Sequence, residues 1–232
     1  MNRIIVWPLV VFLFVGFGAG HLQLRAQAIE WMDPYWVKGA KLESAEAVVI
    51  AIDTSGSIQV ADRLPREKTM AIGILNVLFA QNNRDPWLAV YSFDTDIHYV
   101  IEPTRLSRLN LADAIAAIMA IQDTGYFTWL SGAIDEACNV TRPVRPAGTL
   151  VLMTDGKPTT PDRNGSKDIA EATVAATASA QLFKDNCSTL AVIGFDVGDE
   201  DAEFLKKIAS SGAFLSTFPP EAPQASMAFM DA

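Results

Sequence analysis

The chain has 232 residues, of which 50% are hydrophobic and 19% are charged, and its formal net charge is −9. This length and composition are typical of one globular α/β domain with a full hydrophobic core. The acidic balance and the lack of any Lys/Arg cluster exclude a nucleic-acid-binding protein, because such proteins neutralise phosphates with basic side chains.

The first 28 residues have the pattern of a secretory signal peptide. Arg3 precedes an uncharged apolar run over residues 4–19, and Ala26-Gln27-Ala28 supplies the small-x-small sequence that signal peptidase cleaves. We therefore expect cleavage after Ala28 and a secreted or periplasmic protein. An uncleaved N-terminal membrane anchor is the alternative, since the run approaches the length that spans a bilayer. No later apolar stretch is long enough to span a membrane.

Residues 29–44 are rich in Trp and charged residues and show no clear period. We interpret them as a linker, or as an arm lying on the domain that occupies residues 45–232. Within that domain, strand and helix patterns follow in the order strand 47–52, helix from about Pro65, strand 87–93, strand 98–101, helix 111–121, helix 131–140, strand 149–154, helix 170–184, strand 189–195, helix 203–209 and strand 213–217.

Repeated strand-helix-strand units predict an α/β fold with a doubly wound, mostly parallel six-stranded sheet and helices on both faces. The predicted strands 87–93 and 98–101 are close enough in sequence to pair as a hairpin, so one antiparallel edge strand is expected. In such sheets, ligands bind at the carboxyl ends of the strands, where the strand order reverses.

Polar side chains follow two of these strands directly. The first strand ends in Asp53-Thr54-Ser55-Gly56-Ser57, and the strand 149–154 is followed by Asp155. If both strands are central, Asp53 and Asp155 reach one crevice, where two carboxylates raise each other's pKa unless a cation lies between them. Carboxylate and hydroxyl oxygens suit Mg²⁺, which is usually held by one or two carboxylates together with hydroxyls and waters.

A hydroxyl from a neighbouring loop completes the predicted set of ligands. Thr128 precedes the helix start Gly132-Ala133-Ile134, and this spacing favours it over the nearby Thr124. The candidate metal ligands are thus Asp53, Ser55, Ser57, Thr128 and Asp155, with Mg²⁺ or Mn²⁺ as the ion. The alternative for the first motif is a simple turn and helix cap, since Asp, Ser and Gly are favoured in both.

Asp-x-Ser-x-Ser, a loop Thr, and a second strand ending in Thr-Asp-Gly, in that order, resemble the von Willebrand factor type A family and its metal-ion-dependent adhesion site. The resemblance implies that Ser55, Ser57 and, in the ligated state, Thr128 bind the metal directly, and that Asp53 and Asp155 bind it largely through water. It further implies a binding function in which an acidic side chain of a partner protein coordinates the Mg²⁺. The rim around Trp129 and residues 159–160 would set specificity, and a last helix over about residues 222–230 would couple to the metal site.

The sequence does not contain the sets of residues that common catalytic sites require, so we expect a protein that is not an enzyme. The mature chain keeps a single histidine, His98, on a predicted strand away from the crevice, which argues against a Ser-His-Asp triad or a His-ligated zinc. The alternative function is a Mg²⁺-dependent hydrolase of phosphate esters, with Asp53 or Asp155 as nucleophile or metal ligand. A purely structural metal site is a third possibility.

Further acids at loop tips are interpreted as solvated: Asp94, Asp96, Asp196 and Asp199.

The chain has two cysteines, Cys138 and Cys187. In an exported protein such a pair is expected to form a disulfide, although two buried thiols are the alternative. Cys138 lies near the end of a predicted helix and Cys187 just before a predicted strand. Both should therefore lie at the end of the sheet opposite the candidate metal site.

Overall fold

Seven consecutive buried residues form β1 (Ala47–Asp53), which lies in the interior of the sheet. A fully buried run of this kind is typical of a parallel strand that is covered on both faces. The computed structural model describes residues 34–60, 63–80, 84–123, 125, 127–144, 147–165 and 167–217.

Six strands form one sheet in the order β3-β2-β1-β4-β5-β6. The strands after β1 are β2 (Trp87–Phe93), β3 (Ile97–Arg105), β4 (Gly148–Thr154), β5 (Ser188–Phe195) and β6 (Phe214–Thr217). All neighbouring pairs are parallel except β2 with β3, so β3 is an antiparallel edge strand. The predicted fold class is confirmed.

Seven α-helices lie among the described residues. They are α1 (Pro34–Gly39), α2 (Gly56–Val60), α3 (Leu64–Ala80), α4 (Leu111–Met119), α5 (Leu130–Thr141), α6 (Ile169–Asn186) and α7 (Asp199–Ile208). None of the helices in this part of the chain combines the length and the apolar character needed to cross a membrane.

The sheet separates two hydrophobic cores because successive side chains of a strand point to opposite faces. Val48, Ile50 and Ile52 of β1 pack in one core with α3 and α4. Val49 and Ala51 pack in the other core with α5, α6 and α7. The helices therefore cover both faces, and the carboxyl ends of the strands are the part of the sheet left open for a site.

Several boundaries differ from the sequence predictions. β3 extends to Arg105 through Pro103, which an edge strand tolerates because its outward N–H has no strand to pair with. α7 begins at Asp199 rather than at residue 203, and its first turn holds three acids that interact favourably with the helix dipole. The short helices α1 and α2 were not predicted, and the expected last helix, 222–230, lies outside the described residues.

The segment before β1 packs against the amino ends of the strands. Trp36 of α1 is 2% exposed, and its indole N–H donates to the carbonyl of Ala213, directly before β6, at 3.2 Å. The hydroxyl of Thr149 in β4 donates to the carbonyl of Ala40 at 3.0 Å. Trp36 and the buried Leu42 belong to the core shared with α3.

Cys138 and Cys187 form a disulfide, as the sequence predicted, with their Cα atoms 5.7 Å apart. Cys138 lies in the last turns of α5, and Cys187 directly precedes β5. The bridge therefore joins α5 to the amino end of β5, the end of the sheet opposite Asp53 and Asp155.

We expect reduction of this disulfide to lower the melting temperature without unfolding the site. The bridge closes a loop with a sequence separation of 49 residues. In the chain-entropy account, a loop of that size restricts the unfolded chain by about 4 kcal/mol. Calorimetric melting with and without reductant measures the effect. Mass spectrometry of unreduced, alkylated protein should find no free thiol, and two readily alkylated cysteines in the folded protein would contradict the bridge.

Candidate metal site

Asp53 is the last residue of β1 and is fully buried. Its Oδ1 accepts a hydrogen bond from the backbone N–H of Ser55 at 2.9 Å, and its Oδ2 accepts one from the hydroxyl of Thr154 at 2.7 Å. The first bond closes a turn of the kind that Asp favours, and α2 begins directly afterwards. The second bond ties β1 to β4. The turn named as the alternative is therefore present and is closed through Oδ1, while Oδ2 faces the neighbouring strand β4.

Ser55, Ser57 and Asp155 are joined by hydrogen bonds. The two serine hydroxyl oxygens are 3.2 Å apart, and Ser57 donates to Oδ1 of Asp155 at 2.9 Å. Ser55 is buried, Asp155 is 9% exposed and Ser57 is exposed. Because β1 and β4 are adjacent parallel strands, these three residues and Asp53 meet in one crevice that opens to solvent at Ser57.

Thr128 lies in the loop before α5 and is 4% exposed. Its backbone N–H donates to the hydroxyl of Thr159 at 2.8 Å. The same loop is fixed to the first motif, because the N–H of Gly125 donates to the carbonyl of Thr54 at 3.1 Å. These bonds hold the Thr128 loop beside the Asp-x-Ser-x-Ser turn. The alternative residue, Thr124, lies outside the described residues.

The site concentrates negative charge in a buried place. Burial, together with the charge of Asp155, raises the pKa of Asp53 to about 7, although hydrogen bonds from Thr154 and Ser55 act in the opposite direction. A divalent cation between the two carboxylates would remove this repulsion.

Two charged residues of the site were missed by sequence reasoning. Glu67 in the first turn of α3 is fully buried, and neither of its carboxylate oxygens has a hydrogen-bond partner within the described chain. Burial, followed by the charges of Asp53 and Asp155, raises the pKa of Glu67 well above its usual range. Arg63, directly before α3, hydrogen bonds through a terminal guanidinium nitrogen to Oδ2 of Asp155. Charged residues in a first helical turn are usually solvated, so the sequence carried no signal for either.

The residues present fit a hard divalent ion. The donors are two carboxylates and three hydroxyls, all oxygen, as Mg²⁺ and Mn²⁺ prefer. Over the described ranges, no three His, Cys, Asp or Glu side chains are grouped as metal ligands, so an ion here would depend on the hydroxyls. The unpartnered oxygens of Glu67 and the raised pKa of Asp53 both indicate a crevice that is short of positive charge.

Other expectations are corrected by the structure. Asp94 is buried rather than solvated, and its Oδ1 accepts the N–H of Asp96 at 2.7 Å. Asp196 is paired with two arginines. Thr160, expected on the rim, is fully buried and cannot contact a partner, whereas Trp129 and Thr159 are partly exposed. His98 lies on β3, where its Nε2 is 3.5 Å from Oδ1 of Asp94.

Comparison with known proteins gives one family. The profile of the von Willebrand factor type A domain matches residues 47–225, most of the chain. No curated protein matches the chain in sequence.

Solved structures share the fold at low identity. The vWF domain of the type V pili tip protein Mfa5 from Porphyromonas gingivalis has a TM-score of 0.61 and 17% identity, covering 80% of this chain and 94% of that one. Proximal thread matrix protein 1 from the mussel byssus, with zinc in its MIDAS motif, has a TM-score of 0.56 and 18% identity, covering 81% and 45%. A von Willebrand factor type A protein from Catenulispora acidiphila has a TM-score of 0.59 and 18% identity, covering 81% and 42%. The chain thus spans less than half of the last two proteins.

We expect the metal-free domain to lose stability as the pH rises from about 4 to 7. The unfolded chain releases the Asp53 proton near its ordinary pKa, whereas the folded protein retains it up to about 7. Raising the pH in this window therefore favours the unfolded state, by about 1.4 kcal/mol per pH unit for each retained proton. Urea titrations in EDTA measure the slope. Asp53→Asn should make it shallower, whereas Asp185→Asn, at an exposed acid of α6, should not; equal slopes in all three proteins would contradict the assignment.

Proposed function

Since this chain belongs to the von Willebrand factor type A family, we propose that it binds a partner protein through a Mg²⁺ or Mn²⁺ ion held by Asp53, Ser55, Ser57, Thr128 and Asp155. An acidic side chain of the partner would coordinate the ion. The observation that carries the proposal is the bonded crevice at the carboxyl ends of β1 and β4, where Ser57 donates to Asp155 at 2.9 Å and faces solvent.

The residues of the chain have separate tasks in this function. Thr154 and the N–H of Ser55 fix both oxygens of Asp53, so that its carboxylate is held in one orientation. Ser55 and Ser57 present their hydroxyls on one side, within 3.2 Å of each other. Thr128 is held by Thr159 on the neighbouring loop. A site with these groups already oriented loses little entropy on binding.

A bound Mg²⁺ would supply an open coordination position for an oxygen ligand from outside the domain. A bound ion would thus allow an acidic partner to approach an acidic protein. The chain carries a net charge of −9, and Asp53 and Asp155 add negative charge at the crevice itself. A carboxylate of the partner would be repelled there without a cation, so binding should depend strictly on the metal.

The surface beside the crevice offers room for the rest of a partner. A groove of about 450 Å³ lies between β3 and α5 and is lined by Trp129, Tyr99 and Arg163, among others. Trp129 directly follows Thr128, and its indole N–H donates to the carbonyl of Pro161 at 3.2 Å, which fixes the ring. Fixed aromatic side chains are typical anchors of protein interfaces. We therefore assign specificity to the rim formed by Trp129 and Thr159.

We also propose that the domain works outside the cytoplasm. The Cys138–Cys187 bridge is of a kind that persists in oxidising compartments. The similar structures include a pili tip protein and a byssus matrix protein. The apolar run after Arg3 supports export by a signal peptide that is cleaved after Ala28, with an N-terminal anchor as the alternative.

We expect the mature domain to bind one Mn²⁺ or Mg²⁺ per chain, and Asp53→Ala or Asp155→Ala to abolish this binding because each removes a carboxylate of the crevice. Isothermal titration calorimetry measures the affinity, and circular dichroism checks the fold. Asp185→Ala, which removes one exposed carboxylate from α6, is the matched control and should bind like the native chain. Unchanged affinity in both site variants would show that these acids are not ligands.

We expect partner binding to require both the metal and the Thr128 hydroxyl. The immobilised domain should retain a protein from the exported proteins of the source organism in Mg²⁺ and release it in EDTA, and the Asp53→Ala domain should retain none. Thr128→Ala should weaken partner binding more than metal binding; if Thr124→Ala does so instead, the loop ligand is wrong. Hydrolysis of phosphate esters that needs Mg²⁺ and disappears in Asp53→Ala would replace this function by the hydrolase alternative.

A further inference from the structure

Arg63 is a positive charge in direct contact with a proposed metal ligand. It lies between α2 and α3, with its side chain 19% exposed, and hydrogen bonds to Oδ2 of Asp155. The Ser57 hydroxyl donates to the other oxygen of Asp155, Oδ1, at 2.9 Å. Asp155 is therefore shared between the ligand cluster and a guanidinium. The function proposed above assigns Arg63 no task.

The guanidinium of Arg63 compensates part of the charge of the crevice. Asp53 is fully buried and Asp155 is 9% exposed, and each is destabilised by the other when both are ionised. Arg63 brings one positive charge to this pair. The same charge opposes the entry of a divalent ion, because two cations at Asp155 repel each other more strongly in a partly buried site than in water.

A second carboxylate lies within reach of Arg63. Asp196, directly after β5, has its Oδ2 3.5 Å from Nε of Arg63 and 2.5 Å from a terminal nitrogen of Arg66. Nε of Arg63 is buried and donates no hydrogen bond within the described chain, so the present position does not satisfy the whole guanidinium. Arg63 is therefore bonded to Asp155 and close to Asp196, and its charge also acts on the buried Glu67.

The backbone of Asp196 is held in an unfavourable conformation. Its φ is 51°, in the left-handed region that residues other than glycine seldom adopt, although Asp and Asn do so most readily. Such conformations persist where the surroundings fix them and are enriched at functional sites. Here the conformation accompanies a carboxylate placed against two guanidinium groups.

We propose that Arg63 regulates the metal site by competing with the ion for Asp155, and that Asp196 accepts the guanidinium when the ion is bound. The inference rests on the function proposed above and adds a control of metal affinity built into the chain. In the metal-free domain Arg63 neutralises Asp155. On metal binding it turns toward Asp196, where Arg66 is already paired. The metal affinity then depends on how strongly Asp155 and Asp196 compete for the guanidinium of Arg63.

Calorimetric titration with Mn²⁺ at low salt tests the competition. We expect Arg63→Gln to bind Mn²⁺ about tenfold more tightly or better, because it removes a cation from the partly buried ligand. Arg63→Lys keeps the charge and should stay within about threefold of the native chain, which separates charge from side-chain shape. Arg142→Gln is the matched control, since it removes the same charge at an exposed position directly after α5, where Arg142 is bonded to Asn139. It should also stay within about threefold, because that charge is distant from the crevice and solvated.

A double-mutant cycle tests the role of Asp196. Asp196→Asn tolerates the left-handed backbone and removes the negative charge that would hold Arg63 away from Asp155, so it should weaken Mn²⁺ binding in the native background. In the Arg63→Gln background the Arg63 guanidinium is absent and cannot move to Asp196, so the same change should alter Mn²⁺ affinity much less. An equal effect in both backgrounds would mean that Asp196 acts directly on the ion, and it would overturn its role as acceptor. Melting temperatures in EDTA verify that each variant is folded.

The outcomes separate this inference from the proposed function. If the native chain binds Mn²⁺, Asp53→Ala does not, and Arg63→Gln binds as the native chain does or more weakly, then the function stands and Arg63 merely orients Asp155. If Asp53→Ala binds like the native chain, or if no variant binds Mn²⁺, the metal site itself is wrong and the inference is overturned with it. Tighter binding by Arg63→Gln with the native affinity kept by Arg63→Lys and Arg142→Gln supports the competition.

Discussion

The parallel pairing of β1 with β4 is the constraint on which the site depends. Ile52 of β1 lies opposite Met153 of β4. Asp53 and Asp155 come within two residues of this pair, so both lie at the carboxyl ends of the two strands. Both acids are buried there, and like charges so placed repel strongly. Neighbouring groups compensate this repulsion in part: Asp53 accepts two hydrogen bonds, and Asp155 accepts one from Ser57 and one from Arg63.

The same constraint links stability to function. A crevice that holds excess negative charge after these bonds is an attractive place for a cation, and its single exposed member, Ser57, leaves a way in. Burial and the charges of Asp53 and Asp155 raise the pKa of the nearby Glu67, which reflects the same excess of negative charge. Arg63 compensates part of this charge from within the chain.

The two ends of the sheet have different tasks. At the amino ends, the Cys138–Cys187 bridge, the Trp36 indole bonded to Ala213, and the Thr149 hydroxyl bonded to Ala40 connect distant parts of the chain. These contacts are buried or covalent, and they stabilise the sheet without using the carboxyl ends. The opposite end is left with polar, partly unsatisfied groups. Such a division is common in doubly wound folds, where function lies at the carboxyl ends of the strands.

The sequence by itself determined the elements with strong periodic patterns and the identity of the candidate ligands. The buried strands around β1 and the stripe on α3 appear as apolar runs, and Asp53, Ser55 and Ser57 stand together in the chain, so short-range order was sufficient to find them. Only the tertiary structure decided what surrounds these candidate ligands. Arg63, Glu67 and Asp196 come from the start of α3 and the end of β5, where a charged residue is solvated or buried according to what packs against it. That depends on contacts between residues as far apart as 63 and 196, which no local pattern encodes.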